Sequence, residues 1–162
     1  MSESIYILGA ARTPVGSFQG SLATQSAPEL GAHAMAAALA NGQVKADEVN
    51  EVIIGNVVSS GLKQAPARQA MRIAQLPDSC AATTINKVCG SGMKATMLAM
   101  DLIKAGSADT VVAGGMESMS NAPYLVAKAR AGLRMGHAGM LDSLFTDGLE
   151  DAETGGSMGS FA

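Results

Sequence analysis

The chain has 162 residues, 48% of them hydrophobic, which is enough for a domain with its own core and too apolar for a disordered chain. A net charge of -3 with both signs scattered and no basic stripe argues against a nucleic-acid partner, and no apolar run reaches the ~18 residues of a membrane span. Aromatic residues are only 3%, so alanines and the 11 methionines must fill the interior, as in helices packed closely on a sheet rather than an aromatic-centred β-sandwich.

The opening Met1-Ser2-Glu3-Ser4 has neither the basic nor the apolar region of a signal peptide, and no arginine-rich transit character. Ile5 to Ala10 is an apolar run that predicts a buried strand, turned by Ala11-Arg12-Thr13-Pro14. Ser26-Ala27-Pro28-Glu29 supplies an N-cap, an early proline and an acidic first turn for a helix over Leu30 to Ala40, which Asn41-Gly42 should stop. Val49 to Val58 predicts a second strand, and Ser59 to Gln64 a loop. Pro66 to Gln75 predicts a second helix, ended by Pro77. Ala81 to Val88 then predicts a third strand, Ser91 to Ala105 a third helix closed at Gly106, and Ala108 to Ala113 a fourth strand stopped by Gly114-Gly115.

The order β-α-β-α-β-α-β predicts an α/β layered fold with a largely parallel sheet. In the third helix Lys94, Asp101 and Lys104 share one narrow face and the other positions are small or apolar. That pattern predicts a helix buried over most of its circumference, a dry and rigid support for whatever precedes it. The pattern changes beyond Gly115, and no fifth strand is evident. The expected division is a sheet-and-helix unit over 1–120 and an excursion from it over 121–162.

The densest chemistry lies in Asn86-Lys87-Val88-Cys89-Gly90-Ser91-Gly92-Met93-Lys94-Ala95. Cys89 follows a strand, on the side of a parallel sheet where ligands bind. It also precedes a helix, whose free N–H groups and positive dipole end favour a thiolate. The flanking glycines permit close approach of backbone or ligand. A nucleophile fits this position, and so does a small buried apolar side chain, the common role of a free cysteine. Cys80 and Cys89 match no common metal spacing, and His33 and His137 have no partner cluster, so no metal site is expected. Two cysteines without a secretion signal read as reduced thiols in the cytoplasm.

Several segments together resemble the thiolase family. Asn86 to Ala95 resembles its nucleophile motif and Ala11-Arg12-Thr13-Pro14-Val15-Gly16 its N-terminal motif. Gly55-Asn56-Val57 with Pro66-Ala67-Arg68-Gln69-Ala70 is similar to its second strand and helix. Val112 to Pro123 is similar to its glycine-rich segment, and Asp147-Gly148-Leu149 and Met158-Gly159 to patches early in its loop domain. The nearest subtype is the biosynthetic one. The resemblance implies Claisen condensation of two acetyl-CoA molecules to acetoacetyl-CoA, and the reverse thiolysis, through an acyl-cysteine on Cys89 whose backbone N–H serves as an oxyanion donor. It implies CoA thioesters as substrates, no permanently bound cofactor, and a homo-dimer or homo-tetramer. Leu149 would lie near the CoA and Met158 near the acyl pocket, although an ordinary core or loop role fits each as well. Glu117, Ser118 and Ser120 are expected to brace backbone, and Arg68 and Lys87 to form surface or interface ion pairs.

The same resemblance implies a first half-domain without its last helix and strand over 1–120, and the start of a loop domain over 121–162. Family motifs that bring a histidine and a second cysteine have no counterpart here, so the expectation is that this chain alone does not turn over substrate. Two other readings are a β-ketoacyl synthase-type condensing enzyme and a non-catalytic thiolase-like fragment.

Overall fold

The computed structural model describes residues 4–161; Met1-Ser2-Glu3, read above as part of an ordinary N-terminus, and Ala162 lie outside them. Helix α1 runs Ala27–Gly42, strand β1 Glu51–Gly55, helix α2 Pro66–Ile73 and strand β2 Ala81–Ile85. Helix α3 (Ser91–Lys104) and strand β3 (Val111–Gly115) follow, and then a short hairpin of β4 (Tyr124–Leu125) and β5 (Leu141–Asp142). The main sheet is parallel throughout, in the order β2-β1-β3, with Ile53 level with Thr83 on one side and Ala113 on the other. The α/β fold with a parallel sheet is thus present.

The central strand β1 explains the layering. Val52, Ile53 and Ile54 are all at most 5% exposed, as a parallel strand covered on both faces requires. Alternation sends Val52 and Ile54 towards α1 and α2, where they join Met35, Ala67, Ala70, Met71 and Cys80 in the core. The opposite face, carrying Gly55, meets α3. Among the described residues no aromatic side chain enters this core; small residues let the layers approach instead. At Gly31, for example, an added Cβ would lie 2.7 Å from Met116 Sδ.

Helix α1 starts as its sequence dictates. The Ser26 N–H donates to Glu29 Oε2 at 2.7 Å, and the Glu29 N–H donates to Ser26 Oγ at 3.4 Å, closing a capping box. The Ser26 backbone N–H, then its hydroxyl, hold the Glu29 carboxyl below its ordinary range. The stop differs from expectation. Asn41 and Gly42 are still helical, and Gln43 takes the left-handed conformation that ends the helix.

The expected first strand does not form. Ile5 to Ala10 joins no sheet, and Tyr6, Ile7 and Leu8 are more than half exposed. A strand needs a neighbour for its backbone groups. This segment runs along α1 instead, with the Asn41 Nδ2 donating to the Ala10 carbonyl at 3.0 Å. The remaining strands are shorter than expected or displaced. Strand β1 ends before Val57 and Val58, β2 ends at Ile85, and β3 contains Gly114 and Gly115 rather than stopping at them.

Helix α3 also departs from the reading. Only Ser91, Ala95 and Ala99 are buried, while Met93 is 75% exposed and Met97 and Met100 also face outwards. Its narrow small-residue stripe, not its methionines, meets the sheet. The support is not dry. No helix among the described residues is long and apolar enough to cross a membrane.

The contact between β1 and α3 is backbone-tight: a Cβ on Gly55 would lie 2.7 Å from the Ser91 carbonyl carbon and 2.9 Å from the Gly92 nitrogen. Gly55→Ala is therefore expected to lower unfolding free energy by roughly 1–3 kcal/mol, as other over-packed sites do. Gly139→Ala, where a Cβ meets nothing within 4 Å, should leave it unchanged. Urea unfolding of both variants checks the pair.

Candidate active site

Strand β2 ends four residues before Cys89, so the cysteine does not sit on the strand itself. Asn86-Lys87-Val88 forms a tight turn between β2 and α3. The Val88 N–H donates to Asn86 Oδ1 at 2.9 Å, and the Gly90 N–H donates to the Lys87 carbonyl at 3.1 Å. The Val88 carbonyl accepts from the Ser91 N–H at 3.0 Å and from the Ser91 hydroxyl at 2.6 Å. The same hydroxyl accepts from the Lys87 N–H at 2.8 Å. Val88 itself has φ of 49°, the left-handed region.

The turn delivers Cys89, exposed, immediately before α3, whose N-cap is Gly90 and carries no side-chain cap. Cys80, by contrast, is 2% exposed in the core, where burial first and the Glu51 charge second push its thiol up. The reading of a free cysteine as a small buried side chain thus describes Cys80 and not Cys89.

Cys89 opens onto a cleft of about 420 Å³ at the carboxyl ends of β1 and β3. Its floor is Gly55, Gly92 and Gly115, where helix and strand backbones touch; a Cβ on Gly115 would stand 3.4 Å from Gly92 Cα. Val57, Val58, Met116 and Met119 form apolar walls, with Glu117 between them. Leu144, Gly148 and Leu149 close one side. The helical turn Phe145–Leu149 lies close to the loop after β1, where a Cβ added at Gly148 would stand 3.4 Å from Val58 Cγ2, and the Ser60 hydroxyl ties it there by donating to Asp147 Oδ2 at 3.2 Å.

The structure therefore brings Leu149 together with Cys89. Met158, in a short helical turn at 158–160, does not line this cleft and is half exposed. Arg72–Asp78 is the ion pair among the described residues, and neither Arg68 nor Lys87 takes part in one. No group of three or more His, Cys, Asp or Glu is placed to hold a metal among the described residues.

Glu117 braces more than its own segment. It reaches across to the loop after β1, where Oε2 accepts from the Val57 N–H at 2.8 Å and Oε1 accepts from the Val58 N–H at 3.2 Å and from Asn56 Nδ2 at 2.7 Å. Asn56, 2% exposed, also donates to the Met116 carbonyl at 3.3 Å, and its Oδ1 is buried without a partner. Ser118 donates to the Gln25 carbonyl at 2.9 Å and Ser120 accepts from the Gln19 N–H at 2.9 Å, both braces as expected. The sequence carries no direct sign of the Asn56–Glu117 link, because its partners are 61 residues apart; a polar residue one or two positions after a strand-ending glycine, Asn56 after Gly55 and Glu117 after Gly115, is the available signal.

This arrangement, an exposed thiol at a helix N-terminus above a glycine floor, defines a class. The chain belongs to the thiolase family: the thiolase N-terminal domain matches residues 5–162. An acetyl-CoA acetyltransferase of Saccharomyces cerevisiae is 51% identical over all of this chain and 41% of its own length. Acetyl-CoA acetyltransferase 2 of Arabidopsis thaliana is 52% identical over 99% of this chain and 40% of its own. An acetyl-CoA acetyltransferase of Cupriavidus necator is 54% identical over 91% and 37%. The chain thus spans about two fifths of the length of the curated relatives it matches.

Burial raises the Glu117 carboxyl above its ordinary 4.5, against the opposing pull of the Val57 and Val58 N–H groups. A raised carboxyl binds its proton more tightly folded than unfolded. Its contribution is fully present below the ordinary value and is lost as pH rises through the folded value. Relative to Glu117→Gln, the unaltered chain should lose stability as pH rises from the ordinary carboxyl range towards neutrality, and then level off. Thermal melting across that range measures the difference; a constant offset would contradict it.

Proposed function

We propose that this chain supplies the acyl-accepting nucleophile of an acetyl-CoA acetyltransferase, with Cys89 as the residue that is acylated. The observation that carries the reading is Cys89, exposed on a fixed turn before α3 and opening into the cleft that Leu149 shares. Relatives at about half identity that bear the acetyl-CoA acetyltransferase name support the choice of acetyl-CoA as substrate.

The chemistry follows from the groups present. The Cys89 thiolate adds to the thioester carbonyl of acetyl-CoA and forms a carbon–sulfur bond. The tetrahedral oxyanion is stabilised by the backbone N–H of Cys89. Its collapse breaks the bond to CoA sulfur, which leaves as a thiolate and takes up a proton. Acetyl-Cys89 remains. For condensation a base must take an α-proton from a second acetyl-CoA. The carbanion then attacks this new thioester, forms the carbon–carbon bond of acetoacetyl-CoA and returns Cys89 to the thiolate. Because the family's histidine and second-cysteine motifs have no counterpart in this sequence, the chain by itself carries the acylation step and not the turnover. Splitting the condensation in this way avoids direct attack by a carbanion on a second free CoA ester. The apolar walls of Val57, Val58, Met116 and Met119 suit a small acyl group with little polar surface. In this reading Leu149 lies against the CoA portion, and Met158 belongs to the acyl pocket only after a rearrangement of the turn at 158–160. A homo-dimer or homo-tetramer in the cytoplasm completes the proposal on the same family likeness.

Incubation of the chain with acetyl-CoA, followed by peptide mass spectrometry, should find one acetyl group on Cys89 and none on Cys80. Cys89→Ala should remove it. Acetylation of Cys80 alone, or labelling from an acyl-carrier-protein thioester but not from acetyl-CoA, would refute the assignment.

A further inference from the structure

We propose that Asn86 and Ser91 are positioning residues: together they hold Val88 in its left-handed conformation and so aim Cys89 and its N–H. This rests on the reading of Cys89 as the nucleophile and adds how its orientation is set.

Of the non-glycine residues with positive φ among the described residues, Val88 alone is β-branched. A β-branched side chain there is a true outlier, and such strain persists only where the surroundings over-determine it. They do so here on both sides of the residue. Asn86 Oδ1 takes the Val88 N–H, and Ser91 takes the Val88 carbonyl twice, through its N–H and its hydroxyl. The Ser91 hydroxyl also accepts from the Lys87 N–H, so its donor and acceptor capacity are both engaged inside the turn. Ser91 is buried against Gly55 and has little room to choose another rotamer.

The geometric consequence concerns the Val88–Cys89 peptide. It is a planar trans unit, so its carbonyl and N–H point in opposite directions. Fixing the Val88 carbonyl on Ser91 therefore directs the Cys89 N–H away from Ser91, and the same plane sets where the Cys89 Cα–Cβ bond begins. A glycine at 88 would adopt this φ freely but would not be fixed by it. Valine with two clamps gives one conformation.

The test follows the rate at which iodoacetamide alkylates Cys89 in the full chain. Asn86→Ala, at an exposed position, and Ser91→Ala should each slow alkylation about five-fold, the equivalent of one lost hydrogen bond. Adding Val88→Gly to either should restore the rate to within about two-fold, because glycine reaches the left-handed conformation without steric cost and populates it substantially even without clamps. A packing role for Ser91 would not be rescued at position 88. If Ser91→Ala does not fold by circular dichroism, Asn86→Ala with and without Val88→Gly decides alone. Unchanged rates, or a loss that Val88→Gly does not restore, would overturn the clamp while leaving Cys89 as the nucleophile. An unaltered chain that labels no faster than a free model thiol would overturn the nucleophile assignment and the clamp with it.

Discussion

The architecture of the cleft depends on contact between backbones at Gly55, Gly92 and Gly115. A helix and a sheet ordinarily stand apart by the depth of their side chains. Here three missing side chains let the first turn of α3 sit directly on the carboxyl ends of β1 and β3. Everything functional is referred to that contact. It fixes the height of Cys89 above the sheet and leaves an open volume bounded by Val57, Val58 and Met116. A methyl group at Gly55 would push against the first turn of α3 and shift Cys89 with it.

The second constraint is electrostatic and involves a compromise. Glu117 bonds three donors, which favours its charge, in surroundings whose burial disfavours it; burial has the larger effect. The result is a polar tie between the segment after β3 and the segment after β1. Both of those segments are cleft walls, and neither has a strand partner of its own at that level. A carboxylate that reaches across offers two oxygens, one for each of the two consecutive N–H groups, with a site left for Asn56. Asn56 extends the tie to the Met116 carbonyl.

Local rules made most of the elements legible in the sequence. The capping box at Ser26 and Glu29, Pro66 at the start of α2, and the small-residue run of α3 each encode their element within a turn or two. The position of Cys89 before a helix was legible for the same reason. Features fixed by distant residues were not. Ile5 to Ala10 has the composition of a strand, but strand pairing is a property of two segments, and its neighbour here is the side of α1. Helix α3 has apolar residues around most of its circumference, so periodicity could not show that alanines rather than methionines face the sheet. Leu149 reached the cleft and Met158 did not because that outcome turns on how the Phe145–Leu149 turn sits beside Val58, 87 residues before Phe145 in the chain. The Val88 conformation was hidden for another reason: no residue type announces strain, and valine is the residue least expected to carry it.

The two thiols bear on how the protein can be studied. Cys80 is sealed among Met35, Val52 and Met71, and its thiol is pushed up by burial; Cys89 stands in solvent nine residues later. To a thiol-directed probe the natural chain therefore behaves as if it had one cysteine. A spin label or fluorophore would attach at the mouth of the cleft with no residue replaced, and distances measured from it would report directly on whatever closes over α3.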